Sequence, residues 1–301
     1  MLTYILTLAF QKNLYYNTTM VYDFKLLRPQ AKYPVYPPYH VGDYLEEYFY
    51  KFYIKQKQEF DKTGYTYIPI FWTNVYNNNE NRHLIQHYLN ALPSAKYFTV
   101  SQHDDAVTER LPEGTISFEA GGNKNGIPIP LVCSRLNEQE ITHEKNILCS
   151  FVGSVIPGSL REQIYHQLKD DKDIYFSPQN WTSQVQPSRL KEFINITKQS
   201  IFTLCPRGYG AQSFRLYEVM QLGSIPIIIY DKEWFPFSDE INWSEFSVLI
   251  HISELSNIKT IIKGINNNQI QQMLEVGKSI YNNYFTLNAV SKQILRILQT
   301  K

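Results

Sequence analysis

The chain has 301 residues, of which 43% are hydrophobic and 19% charged, enough for one large domain or two of ordinary size. A formal net charge of +1 gives no field that would gather nucleic acid or an anionic membrane, so neither is an expected partner. Cys133, Cys149 and Cys205 stand far apart, in no CxxC or Cys/His cluster, which predicts neither a disulfide framework nor a zinc site and suits a reducing, cytoplasmic setting.

The opening MLTYILTLAF lacks a basic leader, is too short to span a bilayer, and reads as a first strand over residues 2–10. A proline-rich passage over 29–38 is extended loop, and the tyrosines of YPVYPPYHVGDY suit sugar stacking and core packing equally. Asp43 and Glu46 have capping-box spacing before a helical pattern that runs to about Phe60. A β-rich run over 65–72, a turn at 77–79, a short helix over 83–92 and a strand over 96–101 follow. That strand runs into Gln102-His103-Asp104-Asp105. A carboxylate beside a histidine at a strand end can take a proton from an attacking hydroxyl, with Asp104 as the base and His103 orienting it. An Asx-turn accounts for the same residues, and Asp23, Asp43 and Glu46 are rival bases. Strands over 115–119 and 127–133, around the turn Gly121-Gly122-Asn123, complete a first α/β domain. The unpatterned charged stretch over 138–145 places the boundary, giving domains 1–143 and 144–301.

The second half repeats the alternation. A strand over 147–152 leads into Gly153-Ser154 and a helix over 159–169. Asp171-Lys172-Asp173 formally matches the DxD triplet with which some sugar transferases hold manganese, but it follows a helix in a charged run and reads as a solvated turn; no metal is expected. A strand over 174–177, a loop over 178–181 and a helix over 189–200 with Ser188 as its cap come next. The most informative stretch is 201–237. Its apolar run breaks at Pro206-Arg207-Gly208-Tyr209-Gly210, a helix ends at Gly223, and a β-branched run over 225–230 follows, which makes a βαβ unit over a parallel sheet. The loop lies at the carboxyl edge where such sheets bind ligands, with a helix N-terminus behind it, and Arg207 and Ser213 suit an anion. Arg215 and Glu218 share a helix face that is free to meet a ligand, Glu218 being placed for ribose hydroxyls. An ordinary surface ion pair, with Arg207 capping a neighbouring helix, explains the same spacing. A strand over 246–250 and helices over 268–285 and 287–298 finish the chain.

The run CPRG, then SFRLYEVMQLGSIPIII, then D and PF, resembles the signature of the exostosin family, glycosyltransferase family 47, which usually reads close to PRG, S-F-R-L-Y-E-A-L-x-x-G-C-I-P-V and D-x-x-x-P-F. It departs at Val219, Ser224 and Ala211-Gln212, none of which removes a charged group. KYFTVSQHDD, and the strand ending at Gly153-Ser154 with Arg161 in the next helix, resemble further parts of the family. The resemblance implies the GT-B fold, two Rossmann-like α/β domains facing across a cleft, with a last helix crossing back to the first. It implies an inverting, metal-independent glycosyltransferase that uses a nucleoside diphosphate sugar, a UDP-sugar, as donor substrate, a glycan hydroxyl as acceptor and no cofactor. Gly153, Ser154, Arg161, Arg207, Gly208, Ser213, Phe214, Arg215 and Glu218 would bind the donor, with Asp104 and His103 on the catalytic side. Family members also work in pairs in which one partner is mainly structural. A non-catalytic subunit of a homo- or hetero-dimer, or a carbohydrate-binding protein, is therefore the alternative. Animal and plant members carry an N-terminal membrane helix; none is read here, and a soluble chain is expected.

Overall fold

The computed structural model describes residues 24–30, 43–78, 81–122, 125–132, 136, 144–156, 158–182 and 185–301. The strand expected over 2–10, Asp23, most of the proline-rich passage, Asn123, Cys133 and most of the charged stretch at the expected boundary lie outside the described residues.

Two parallel sheets carry the fold. The first has β1 (Thr66–Tyr67), β2 (Tyr97–Ser101), β3 (Ile116–Glu119) and β4 (Ile127–Pro128) in the order β1-β2-β3-β4. The second has β5 (Ile147–Ser154), β6 (Ile174–Gln179), β7 (Ser200–Pro206), β8 (Ile225–Tyr230) and β9 (Val248–His251) in the order β6-β5-β7-β8-β9. The two-residue period of a strand divides the second sheet's apolar residues between its faces. Cys149, Phe151, Phe202, Leu204, Ile225, Ile227 and Ile229 meet α5 (Leu160–Leu168) and α8 (Ile258–Gly264) in one core, while Val152 packs with Phe193 and Ile194 of α6 (Pro187–Gln199) on the other side. Because β5 lies between β6 and β7, successive connections leave it in opposite directions. The crevice above the carboxyl ends of β5 and β7 is the topological switch point, where open α/β sheets bind their ligands.

Several expected elements have different bounds, each for a local reason. The helical pattern from 44 is broken at Gln56 into α1 (Leu45–Lys55) and α2 (Lys57–Asp61). Its cap is closed by Glu47, whose Oε2 accepts the Tyr44 N–H at 3.0 Å, while Glu46 turns inward and Asp43 pairs with Lys51. The run over 65–72 yields only the short β1; Trp72 opens α3 (Trp72–Asn78) and donates its indole N–H to the Thr99 hydroxyl at 2.8 Å. The short helix expected next is α4 (Ile85–Asn90). Strand β6 continues through Pro178, tolerated because β6 is an edge strand. Helix α6 begins at Pro187 in the first helical position, where a missing N–H costs nothing, and Ser188 lies inside it.

The chain closes with α9 (Asn267–Tyr284) and α10 (Leu287–Gln299). Helix α10 packs on α1 and α2, so Val290, Ile294 and Leu298 join Leu45, Phe49 and Phe60 in one core that also takes Leu216, Tyr217 and Val219 of α7 (Phe214–Gln221). Two parallel α/β layers thus face one another across a cleft, the GT-B arrangement. Among the described residues, no helix is long and apolar enough to cross a membrane.

Candidate functional site

The cleft has a volume of about 960 Å³ and is walled by both units. Tyr44, Thr73, Gln102, His103 and Asp104 line it from the first unit, and the loops after β5, β6 and β7 with the start of α7 line it from the second. Every residue assigned from the sequence to the donor or to Asp104 and His103 borders this cleft: His103, Asp104, Gly153, Ser154, Arg161, Arg207, Gly208, Ser213, Phe214, Arg215 and Glu218.

The second-unit wall is built around three arginines. Ser213 is the N-cap of α7; its Oγ accepts the Arg215 N–H at 3.4 Å and the Arg161 Nη2–H at 3.1 Å, which leaves its hydroxyl proton for a ligand. Arg161 also donates from Nη1 to the Ser154 hydroxyl at 3.1 Å and from Nε to the Arg207 carbonyl at 3.2 Å, so it ties the loops after β5 and β7 together across the switch point. The Arg207 fork closes on Asp231, with Nε–Oδ1 at 2.8 Å and Nη2–Oδ2 at 2.7 Å, and this guanidinium holds the Asp231 carboxyl below its ordinary range. Nη1 of Arg207 donates to the carbonyls of Gly208 and Tyr209, so this cation grips its own loop.

Arg215 is held differently. Its guanidinium lies over the Phe151 ring at 4.5 Å and the Phe193 ring at 5.5 Å. Its Nε and Nη1 are buried and make no hydrogen bond among the described residues. A Cβ at position 153 would overlap this guanidinium, so glycine is what lets Arg215 lie against the end of β5. Glu218, 3% exposed, lies one turn further along α7 at the cleft wall.

Across the cleft, β2 delivers His103 and Asp104. A Cβ at Gly210 would stand 2.6 Å from Asp104 Oδ1, so the loop after β7 reaches the aspartate only because it carries no side chain there. The carboxylate is open to the cleft but crowded by protein. That loss of hydration, with Asp105 beside it, raises its pKa to about 6. His103 is mostly buried, which lowers its pKa; its ring stands edge-on to Tyr76, and Nδ1 accepts the Asp105 N–H at 3.2 Å, so the proton of the neutral ring sits on Nε2. The carboxylate beside this ring is Asp105, 3.9 Å from Nδ1.

Of the rival bases, Asp43 is engaged by Lys51 at 2.6 Å and Asp23 is outside the described residues. Glu46 is 1% exposed and accepts the Thr73 N–H at 3.0 Å, the Thr73 hydroxyl at 2.9 Å and the Gln102 N–H at 2.8 Å. Burial outweighs these bonds and raises its pKa to about 8. Asp171 and Asp173 are engaged by Lys259 at 3.1 and 2.6 Å, and Lys263 also meets Asp173.

Two site features were not read from the sequence. Asp231 stands in the quoted signature, but only the structure shows it as the partner of Arg207. Gln212 stands out in the sequence only as a departure from the family's run, with no role attached to it. Its buried carboxamide donates to the carbonyls of Ala120 at 2.9 Å and Ile129 at 2.8 Å and accepts from Tyr217 and the Leu131 N–H, stitching α7 to the first unit.

Residues 77–265 match the Exostosin GT47 domain. An exostosin-1 homolog of Caenorhabditis elegans is 24% identical over 182 residues, 55% of this chain and 48% of that protein. The human ribitol-5-phosphate xylosyltransferase 1 is 34% identical over 89 residues, 28% of this chain and 20% of that one. The chain thus spans about half or less of the length of these relatives. Among solved structures, TarM is similar with a TM-score of 0.39 and 10% identity over 68% of this chain and 50% of its own. The Exostosin GT47 match takes in β5 to β9, the three arginines and Asp104, more than half of the chain, and by that match the chain belongs to the exostosin GT47 family.

Proposed function

We propose that this protein is an inverting, metal-independent glycosyltransferase that moves a sugar from a UDP-sugar to a glycan hydroxyl. The observation that carries the reading is the convergence of Arg161, Arg215 and Ser213 at the switch point of the second sheet, opposite Asp104 on the first unit.

The donor's diphosphate lies at the start of α7. There it meets the Ser213 hydroxyl, the positive end of the α7 dipole, and the charges of Arg161 and Arg215. Phe151 and Phe193 keep water from Arg215, which strengthens its field toward the cleft. Glu218 takes the ribose hydroxyls. Arg207 acts through its loop. The acceptor hydroxyl attacks the anomeric carbon from the side of Asp104, which takes its proton as the C–O bond forms. The bond from that carbon to the diphosphate oxygen breaks on the opposite face, and its electron pair leaves with UDP, whose added charge the arginines stabilise. One displacement with the base opposite the leaving group inverts the anomeric configuration. Fixed guanidinium groups do the work that a divalent ion does in metal-dependent transferases.

The test is heat denaturation against UDP, other nucleoside diphosphates and UDP-sugars, with EDTA and then with manganese. A ligand at about 100 times its Kd adds about 2.7 kcal/mol. A rise in midpoint with UDP in EDTA is expected; no response to any nucleotide would overturn the reading, and a response only with manganese would overturn metal independence.

A further inference from the structure

Among the described residues, the most exposed large hydrophobic side chain borders the cleft: Tyr209, at 80%. Its backbone is fixed. Arg207, itself anchored by Asp231, donates to the carbonyls of Gly208 at 3.1 Å and Tyr209 at 3.3 Å, and the Gly208 N–H donates to the Gln212 carbonyl at 3.1 Å. A fixed backbone that holds a bare aromatic ring into a cleft makes a preformed platform, because little conformational freedom is lost when something covers the ring.

Its two neighbours say what covers it. On one side, the Cβ position of Gly208 is 3.8 Å from Arg161 Nη2, at the anion site; on the other, that of Gly210 is 2.6 Å from Asp104. The ring therefore stands at the mouth of the cleft between the leaving-group cations and the base, where an attacking hydroxyl has to arrive. Resting on the transferase reading, we propose that Tyr209 recognises the acceptor, its ring stacking on the C–H face of an uncharged pyranose whose hydroxyl is thereby brought to Asp104. The Asp104 carboxylate at the same mouth acts against an anionic acceptor sugar.

The experiment labels tyrosine rings with ¹³C and follows the Tyr209 resonance, assigned by its loss in Tyr209→Phe. The probes are methyl β-D-glucopyranoside, methyl β-D-galactopyranoside and methyl β-D-xylopyranoside, with UDP present and absent. A ring shift with at least one pyranoside is expected, together with about tenfold weaker pyranoside binding in Tyr209→Ala, near-normal binding in Tyr209→Phe, and UDP affinity within twofold in both variants. No shift with any of the three, or a Tyr209→Ala protein that loses UDP affinity instead, overturns the proposal. A wild-type protein that binds a pyranoside through Tyr209 but does not bind UDP would uphold this site and overturn the transferase reading.

Discussion

Replacing Arg215 by methionine separates binding from stability, because its guanidinium packs on the Phe151 and Phe193 rings and two of its nitrogens make no hydrogen bond among the described residues. The substitution removes guanidinium contacts to Phe151 and Phe193, worth about 0.5–2 kcal/mol each. It also removes two buried guanidinium nitrogens that make no hydrogen bond among the described residues, each of which costs about 1–3 kcal/mol in the folded state. The terms oppose, and a thioether packs well between two rings, so stability should fall by about 2 kcal/mol at most. The complex has no such compensation. Losing a charge-assisted bond to phosphate costs about 1.5–3 kcal/mol, or about 10- to 150-fold in Kd. Urea denaturation gives the first quantity and calorimetric titration of UDP the second. An Arg215→Met protein that binds UDP within twofold of wild type would take Arg215 out of the donor site, and one destabilised by more than about 3 kcal/mol would mean that its guanidinium holds the fold.

The pH dependence tests both carboxylates. With Asp104 as base and a pKa of about 6, kcat/KM should rise about tenfold per unit up to that pH and level off above it, and Asp104→Asn should lower kcat by about 10²–10⁴-fold and lose the rising limb. A limb that survives in the asparagine variant would put the base elsewhere. Glu46 keeps its proton in the fold up to about 8 but gives it up near 4.5 when unfolded, so over that window the folded state binds more protons and stability falls as pH rises, by about 1.4 kcal/mol per unit from this group. Glu46→Gln lacks this loss, so its stability relative to wild type should increase from pH 5 to pH 8; a constant difference across that range refutes the assignment.

The βαβ unit around Arg207 was legible because its signals are local: an apolar run, a glycine loop, a helix cap and a second apolar run read in one direction. The same locality explains which site residues could be named, since all but Glu218 stand at a strand end or in a first helical turn. What each side chain does was less legible. The sequence offers Arg207 and Arg215 as similar cations, and the difference between them comes from Asp231 and from Phe151 and Phe193, which reach the site from other elements. Likewise Glu46 looks like a capping residue until the partners at Thr73 and Gln102, brought by α3 and the end of β2, turn it inward. Spacing along one helix says which residues share a face, not what that face meets.

The orientation of the two units is set where the sequence departs from the family's usual run. The proposed inverting displacement needs the base and the leaving-group cations on opposite sides of one carbon, yet Asp104 follows β2 of the first unit and Arg215 stands in α7 of the second. Gln212, where threonine is frequent, bonds Ala120 across 92 positions of sequence and reaches Ile129 as well, two carbonyls on either side of the β3–β4 turn. A threonine hydroxyl has one proton and could hold one of them. Beside this stitch, the Cβ position of Gly122 is 2.6 Å from the Ala211 Cβ, and that of Gly210 is equally close to Asp104, so neither loop could carry a larger side chain without separating the units. The cleft is therefore fixed at this end.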